Sequence, residues 1–212
     1  MRRVLLLFAS LIILVVLAIP SYAHAQGMQF WVTARDYNTG NNAYGTKAGN
    51  YVMSSPTITS AHVNSAYIYD SGGYYMAECG WVWYKSVGKP QWFSQRVING
   101  AIQALDLGGY PTKGTNHTIE VRNKIGTNDF LFRIDGSTIF TRTLMGVRHG
   151  ETWVSSERND IGDSNYGHFW SIQKMNSSGT YSNWTSLVNN WTTDPTYTLR
   201  APSNTECFME LQ

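Results

Sequence analysis

The chain has 212 residues, a formal charge of +2, and equal 14% shares of charged and aromatic residues, including 8 Trp and 13 Tyr. That length is ample to bury one core, and rings as frequent as charges exclude a disordered polar chain or a coiled coil. Without Arg2 and Arg3, 14 basic residues face 14 acidic ones, so no basic footprint points to nucleic acid.

Met1-Arg2-Arg3 opens the chain, an apolar run follows from Val4 to Pro20, and Ala23-His24-Ala25 closes it. A basic start, an apolar stretch and an A-x-A pattern predict a secretory signal peptide over residues 1–25, cleaved before Gln26. The alternative is an uncleaved anchor, but the run falls short of the ~20 residues that span a bilayer comfortably. The mature protein is therefore expected to be secreted, with no membrane attachment after cleavage.

Residues 26–56 read as an N-terminal strand and a loop-rich stretch, because Arg35–Pro56 is dense in Asn, Gly, Ser and Tyr without a sustained period. A single domain is expected over 57–212. Short β-branched and aromatic runs ended by Gly, Asn, Asp or Pro predict strands at Ala66–Tyr69, Tyr74–Tyr84, Trp92–Ile98, His117–Arg122 and Phe130–Ile134. Further strands are expected at Thr138–Thr143, Thr152–Arg158, His168–Lys174, Tyr197–Leu199 and Cys207–Leu211. The only candidate for a helical turn lies within Ile98–Leu107. Many strands without helices predict an all-β, antiparallel two-sheet sandwich.

His117–Arg122, Phe130–Ile134 and Ser137–Phe140 form a meander whose second turn is Asp135-Gly136, a strong hairpin signal because Gly tolerates positive φ. This strand–strand–Asp-Gly–strand unit resembles the middle of concanavalin-like jelly-roll sandwiches. The resemblance implies a fold, and says little of function, since one fold hosts many sites.

Tyr74–Tyr84 is the most informative strand. Alternation puts Tyr74, Met76, Glu78, Val82 and Tyr84 on one face, and Tyr75, Ala77, Cys79, Trp81 and Trp83 on the other. The second set is the more apolar and is assigned to the core. Glu78 then stands on the concave surface of a curved sheet, with Tyr74 and Tyr84 as flanking substrate-binding candidates. A carboxyl framed by rings has a raised pKa and suits general acid or base work; the bland alternative is a Glu paired with an Arg or with tyrosine hydroxyls. In Thr152–Arg158, Trp153, Ser155 and Glu157 share a face, which makes Glu157 a second candidate carboxyl and Trp153 a third binding candidate.

Glu78-Cys-Gly-Trp81 on one strand, with Glu157 after small residues on a later one, resembles the glutamic peptidases, the eqolisin-type enzymes, and locally their neprosin-like branch. That resemblance implies export, a β-sandwich, and two acidic or amide side chains facing each other across a concave sheet, here Glu78 and Glu157. It implies an acid-active peptidase in which one carboxylate activates water and a protonated partner donates to the oxyanion or leaving amine. A facing pair of carboxyls also serves glycoside hydrolysis, and the sequence does not supply the separation that distinguishes the two chemistries.

Two cysteines in an exported chain predict one disulfide, Cys79–Cys207, worth ~4–5 kcal/mol through the unfolded state if unstrained; a free thiol is the alternative. His62, His117, His149 and His168 lack ligand spacing, so no metal is expected at them. Asp160–Asn165 reads either as a turn or as an oxygen-rich calcium loop. No phosphate loop, dinucleotide fingerprint or nucleophile elbow appears, and no cofactor is expected. Asn116, Asn176, Asn183 and Asn190 begin sequons. Finally, Trp170, Trp184, Trp191, Tyr166, Tyr181 and Tyr197 lie in polar surroundings, where rings either stack on sugars or fill the core. The partner is therefore a polypeptide substrate or, on the alternative reading, a polysaccharide held by a non-catalytic lectin- or laminin-G-like module.

Overall fold

The structure is a computed structural model that describes residues 28–211 apart from 104, 145 and 165; the predicted signal peptide, residues 1–25, lies outside them. Among the described residues, two antiparallel sheets pack face to face. The front sheet runs β14 (Leu187–Thr192), β1 (Phe30–Asp36), β11 (Glu151–Arg158), β3 (Ala61–Tyr69), β4 (Tyr75–Tyr84), β5 (Pro90–Ile98) and β6 (Ala101–Ile102), with β7 (Asp106–Leu107) also on β5. The back sheet runs β10 (Ser137–Thr143), β9 (Asp129–Ile134), β8 (Asn116–Asn123), β2 (Gly45–Tyr51), β12 (Gly167–Met175), β16 (Glu206–Leu211) and β15 (Tyr197–Ser203), with β13 (Tyr181–Asn183) on β12. No helix among the described residues is long and apolar enough to cross a membrane.

The core forms where the apolar parity of each strand turns inward. Ala77, Cys79, Trp81 and Trp83 of β4 meet Ile119 and Val121 of β8, Phe130, Phe132 and Ile134 of β9, and Phe169 of β12. At ~25 cal/mol per Å² of apolar surface, rings of this size dominate the burial that holds the sheets together. Asp135 and Gly136 take φ of 50° and 79°, the doubly positive pattern of a tight two-residue hairpin turn, as the meander requires.

Three expectations change. Gly45–Tyr51, read as loop, is a central strand between β8 and β12. Its signal is hidden because small residues let bulky neighbours approach: a Cβ at Gly49 would collide with the Trp170 ring. The described residues within 98–107 hold two short strands and no helical turn. The predicted disulfide is also absent, since Cys79 and Cys207 are both buried free thiols. The parity was right, as both face the core. However, Cys79 lies over the Glu120 and Arg133 backbone of β8 and β9, whereas Cys207 sits on β16, beyond β2 and β12. At about 4.8 Å per strand that offset exceeds the ~7 Å a disulfide can span.

Candidate active site

Strand pairing converts the two sequence-predicted glutamates into neighbours on one surface. On β4 the face opposite the core carries Met76, Glu78, Gly80, Val82 and Tyr84. Its β3 partners are Tyr69, Tyr67, Ser65, Val63 and Ala61, in that order. On β11, Glu151, Trp153, Ser155 and Glu157 stand opposite Tyr69, Tyr67, Ser65 and Val63. Glu78 and Glu157 thus lie diagonally across β3, with the Ser65–Ser155 row between them, and both are buried.

Hydrogen bonds follow that diagonal. Ser155 Oγ donates to Glu157 Oε1 at 2.7 Å. Ser65 Oγ lies 2.9 Å from Ser155 Oγ, and the Ser65 hydroxyl is the polar group adjoining the Glu78 carboxyl. Neither Glu78 oxygen has a well-formed hydrogen bond to a described residue. Burial, and then the nearby Glu157 charge, push the Glu78 pKa well above its ordinary 4.5. Tyr67 registers both carboxyls: burial first, then Glu157 and Glu78, raise its phenol well above the usual value.

Gly80 explains the Glu-x-Gly-Trp signature physically. A Cβ there would strike the Asn64 carbonyl oxygen and lie 2.7 Å from Ser65 Cα, so only glycine lets β4 approach β3 this closely. Trp81, next in the motif, turns into the core and donates its Nε1–H to Asn50 Oδ1 at 2.6 Å. Asn50 Nδ2 in turn donates to the His168 carbonyl at 3.2 Å. The Glu78 strand is thereby tied to the back sheet through β2, the strand that sequence reading missed.

The other binding candidates separate. Trp153 stacks on Tyr67 with ring centroids 5.7 Å apart and meets Tyr69 edge-on at 6.0 Å, so it lines the Glu78 end of the face. Tyr84 is half-buried on that face, its pKa raised by burial and by the Glu78 charge. Tyr74 precedes β4 and is largely exposed, because the Asp70–Tyr74 turn ends one residue later than expected. Gln95 was missed: it stands opposite Glu78 on β5, is buried, and has neither amide atom bonded to a described residue. A buried Gln in a strand is a polar exception on an apolar face, and that was its only sequence signal.

Apolar residues flank the pair on both sides. Tyr67, Tyr69, Met76, Val97 and Trp153 cluster at one end, and Met28, Ala61, Val63, Val82 and Phe93 at the other. Beyond Glu157, Arg158 turns to the opposite face. Its Nε donates to Asp194 Oδ2 at 2.6 Å and its Nη2 to Asp194 Oδ1 at 2.7 Å, which pins the end of β11.

Several of the remaining candidates have structural partners. Asp163, in the loop considered for calcium, accepts backbone N–H groups of Thr59, Ser60, Ala61 and Asp160. Of the rings considered for sugar stacking, Trp184 and Tyr197 are buried in the core. Tyr181 donates its hydroxyl to Glu120 at 2.7 Å, and Trp170 covers Gly49.

No family model and no curated protein matches the chain. Among solved structures, scytalido-glutamic peptidase with a transition-state analog inhibitor superimposes with a TM-score of 0.63 at 12% identity, covering 87% of this chain and 98% of that one. SCP-B, an eqolisin-family peptidase in complex with the tripeptide Ala-Ile-His, matches with a TM-score of 0.61 at 11% identity over 87% and 98%. The fold is that of the eqolisin glutamic peptidases. A Caenorhabditis elegans galectin also matches, with a TM-score of 0.40 at 11% identity over 64% of this chain and 95% of that one. In this glutamic-peptidase fold, the buried carboxyl pair lies on the exterior face of the front sheet, away from the inter-sheet core.

Proposed function

We propose that the chain is an exported, acid-active hydrolase of the glutamic-peptidase kind that cuts polypeptides with Glu78 and Glu157. The observation that carries this reading is the pair itself: two buried carboxyls from separate strands on one sheet face, with the Ser65 and Ser155 hydroxyls lying between them and Ser155 donating to Glu157. Glu157, as carboxylate, takes a proton from the attacking water, and the water oxygen bonds to the scissile carbonyl carbon. Glu78, kept protonated by burial and by the Glu157 charge, gives its proton to the leaving amine as the C–N bond breaks. Gln95 Nε2–H, beside Glu78 and without another described partner, donates to the oxyanion. The reaction needs Glu157 ionised and Glu78 protonated at once, which gives a bell-shaped pH dependence.

The test is digestion of acid-unfolded casein between pH 3 and 7 by wild type and Glu157→Gln. Wild type is expected to cut, and the variant to lose on the order of a hundredfold or more in kcat. No cutting by the wild type at any of these pH values discards the reading. Sugar binding that survives Glu157→Gln but is lost in Trp170→Ala would favour the lectin-like alternative instead.

A further inference from the structure

A cavity of about 490 Å3 opens at one end of the back sheet, the sheet that does not carry Glu78 and Glu157. Tyr51 closes β2, Tyr166 leads into β12, Glu210 lies on β16 and Tyr197 opens β15, and these four strands are neighbours in that order. Register brings the four side chains to the same end: Asn50 pairs with Phe169, Gly167 with Met209, and Tyr197 with Leu211. Ser54, Ser55 and Ser164 supply the hydroxyls of the wall. Rings around a few convergent polar groups, in a space of this size, have the form of a small-molecule site.

The cavity is built into the fold. The segment after β2 is fixed at its start, where Val52 N–H donates to the Thr115 carbonyl and Gly114 N–H donates to the Val52 carbonyl, each at 2.9 Å. At its end Thr57 N–H donates to Ser164 Oγ at 2.8 Å, and Ser164 N–H donates to the Thr57 carbonyl at 2.7 Å. Ser164 Oγ thereby uses a lone pair and keeps its hydrogen to donate. The Tyr51 and Tyr166 rings meet at 86° with centroids 6.4 Å apart, which makes a right-angled aromatic corner.

Charge selects the class of ligand. Glu210 is the one carboxyl on the wall, no basic side chain lines it, and Arg200 Nε donates to Glu210 Oε1 at 2.6 Å. That ion pair leaves little net charge to hold a cation or an anion, while Glu210 Oε2 stays open as an acceptor among the described residues. What fits is neutral and rich in hydroxyls, with a flat C–H face for a tyrosine ring.

We propose that this cavity binds a neutral pyranose sugar, as a second site that does not depend on the peptidase reading. The sugar ring lies against Tyr51, one of its hydroxyls donates to Glu210 Oε2, and another accepts from the Ser164 hydroxyl. Trp170, on the same sheet, is outside the cavity wall.

The test is a 1H–15N NMR titration of the folded chain at pH 6 with cellotetraose, chitotetraose and mannotetraose, and with choline and tetragalacturonate as cationic and anionic probes. At least one neutral sugar should bind with a Kd of about 1 mM or tighter. It should shift the amides of Tyr51, Ser54, Ser164 and Glu210 and leave those of Glu78 and Glu157 in place. Glu210→Gln and Tyr51→Ala should each weaken binding about tenfold, whereas Trp170→Ala should leave it unchanged. The wild-type shift map decides by itself if a variant does not fold. Failure of all three neutral sugars to bind, tighter binding of choline or tetragalacturonate than of any of them, or shifts centred on Trp170 or on the carboxyl pair overturns the site. Casein digestion decides the peptidase reading separately, and neither of its results alters these outcomes.

Discussion

Glu78 and Gln95 stand directly opposite each other on β4 and β5, both buried, and neither side chain has a well-formed hydrogen bond to another described residue. Buried polar atoms without partners are costly, and two such groups side by side mark a place built to receive something polar. Gln95→Leu removes the amide at nearly constant volume. It should lower kcat on casein by about 10²–10³-fold, as loss of an oxyanion donor does, while raising thermal stability. Unchanged kcat in that variant would remove Gln95 from the mechanism.

Glu78 also makes stability depend on pH. Its pKa is raised in the fold by burial and then by Glu157, so between the ordinary value of 4.5 and the raised one the folded state binds more protons than the unfolded state. Stability from this group is fully present below 4.5 and is lost as pH rises through that window. Glu78→Gln, which has no charge to bury, should melt higher than wild type at pH 7–8 and lose that advantage near pH 4. Melting curves from pH 3.5 to 8 measure the difference; a variant no more stable than wild type at pH 8 contradicts the raised pKa.

His62 works in the opposite direction. It is buried, its ring lies 5.0 Å from that of Trp81, and burial depresses its pKa to about 3. The unfolded chain protonates near 6.5, so stability from this group is present above 6.5 and is lost as pH falls toward 3. His62→Gln should flatten that slope. From pH 7 to pH 4, wild type should lose roughly 3 kcal/mol more than the variant in urea unfolding; equal losses would show that His62 accepts a proton in the fold.

Gly80→Ala tests the close approach of β4 to β3. With a backbone carbonyl in the way, relief requires the strands to part, at a cost of about 3 kcal/mol. The shift also separates Glu78 from Ser65. Reduced melting temperature together with lost activity is expected; near-native stability would mean that the approach is not obligatory.

The two cysteines supply a chemical check. Both are buried free thiols, and burial pushes each pKa well above the ordinary value, so neither is a ready nucleophile. A disulfide reagent should titrate two thiols per chain after denaturation and almost none before, and a reductant should leave the melting temperature unchanged. One bridge and no free thiols in the unfolded chain would restore the disulfide.

Much of the site was legible because strand parity is local. A period of two places Glu78 opposite Cys79, and Glu157 on the face of Trp153 and Ser155, from a few residues alone. The Asp135-Gly136 turn was equally local. The strand β2 was not, since its glycines and Asn50 make sense only once Trp170 lies over one side and Trp81 reaches the other.

What the amino-acid order determined by itself is therefore an all-β chain, the inward and outward faces of its most informative strand, and two candidate carboxyls, Glu78 on that outward face and Glu157 on the face it shares with Trp153 and Ser155. Tertiary structure alone decided that β3 lies between those carboxyls, that Ser65 and Gln95 adjoin Glu78, and that the two cysteines sit too far apart to bond. The reason is that side-chain direction follows from covalent geometry within one strand. Which strands become neighbours depends on pairing between segments tens of residues apart, and a short window of sequence carries no record of it.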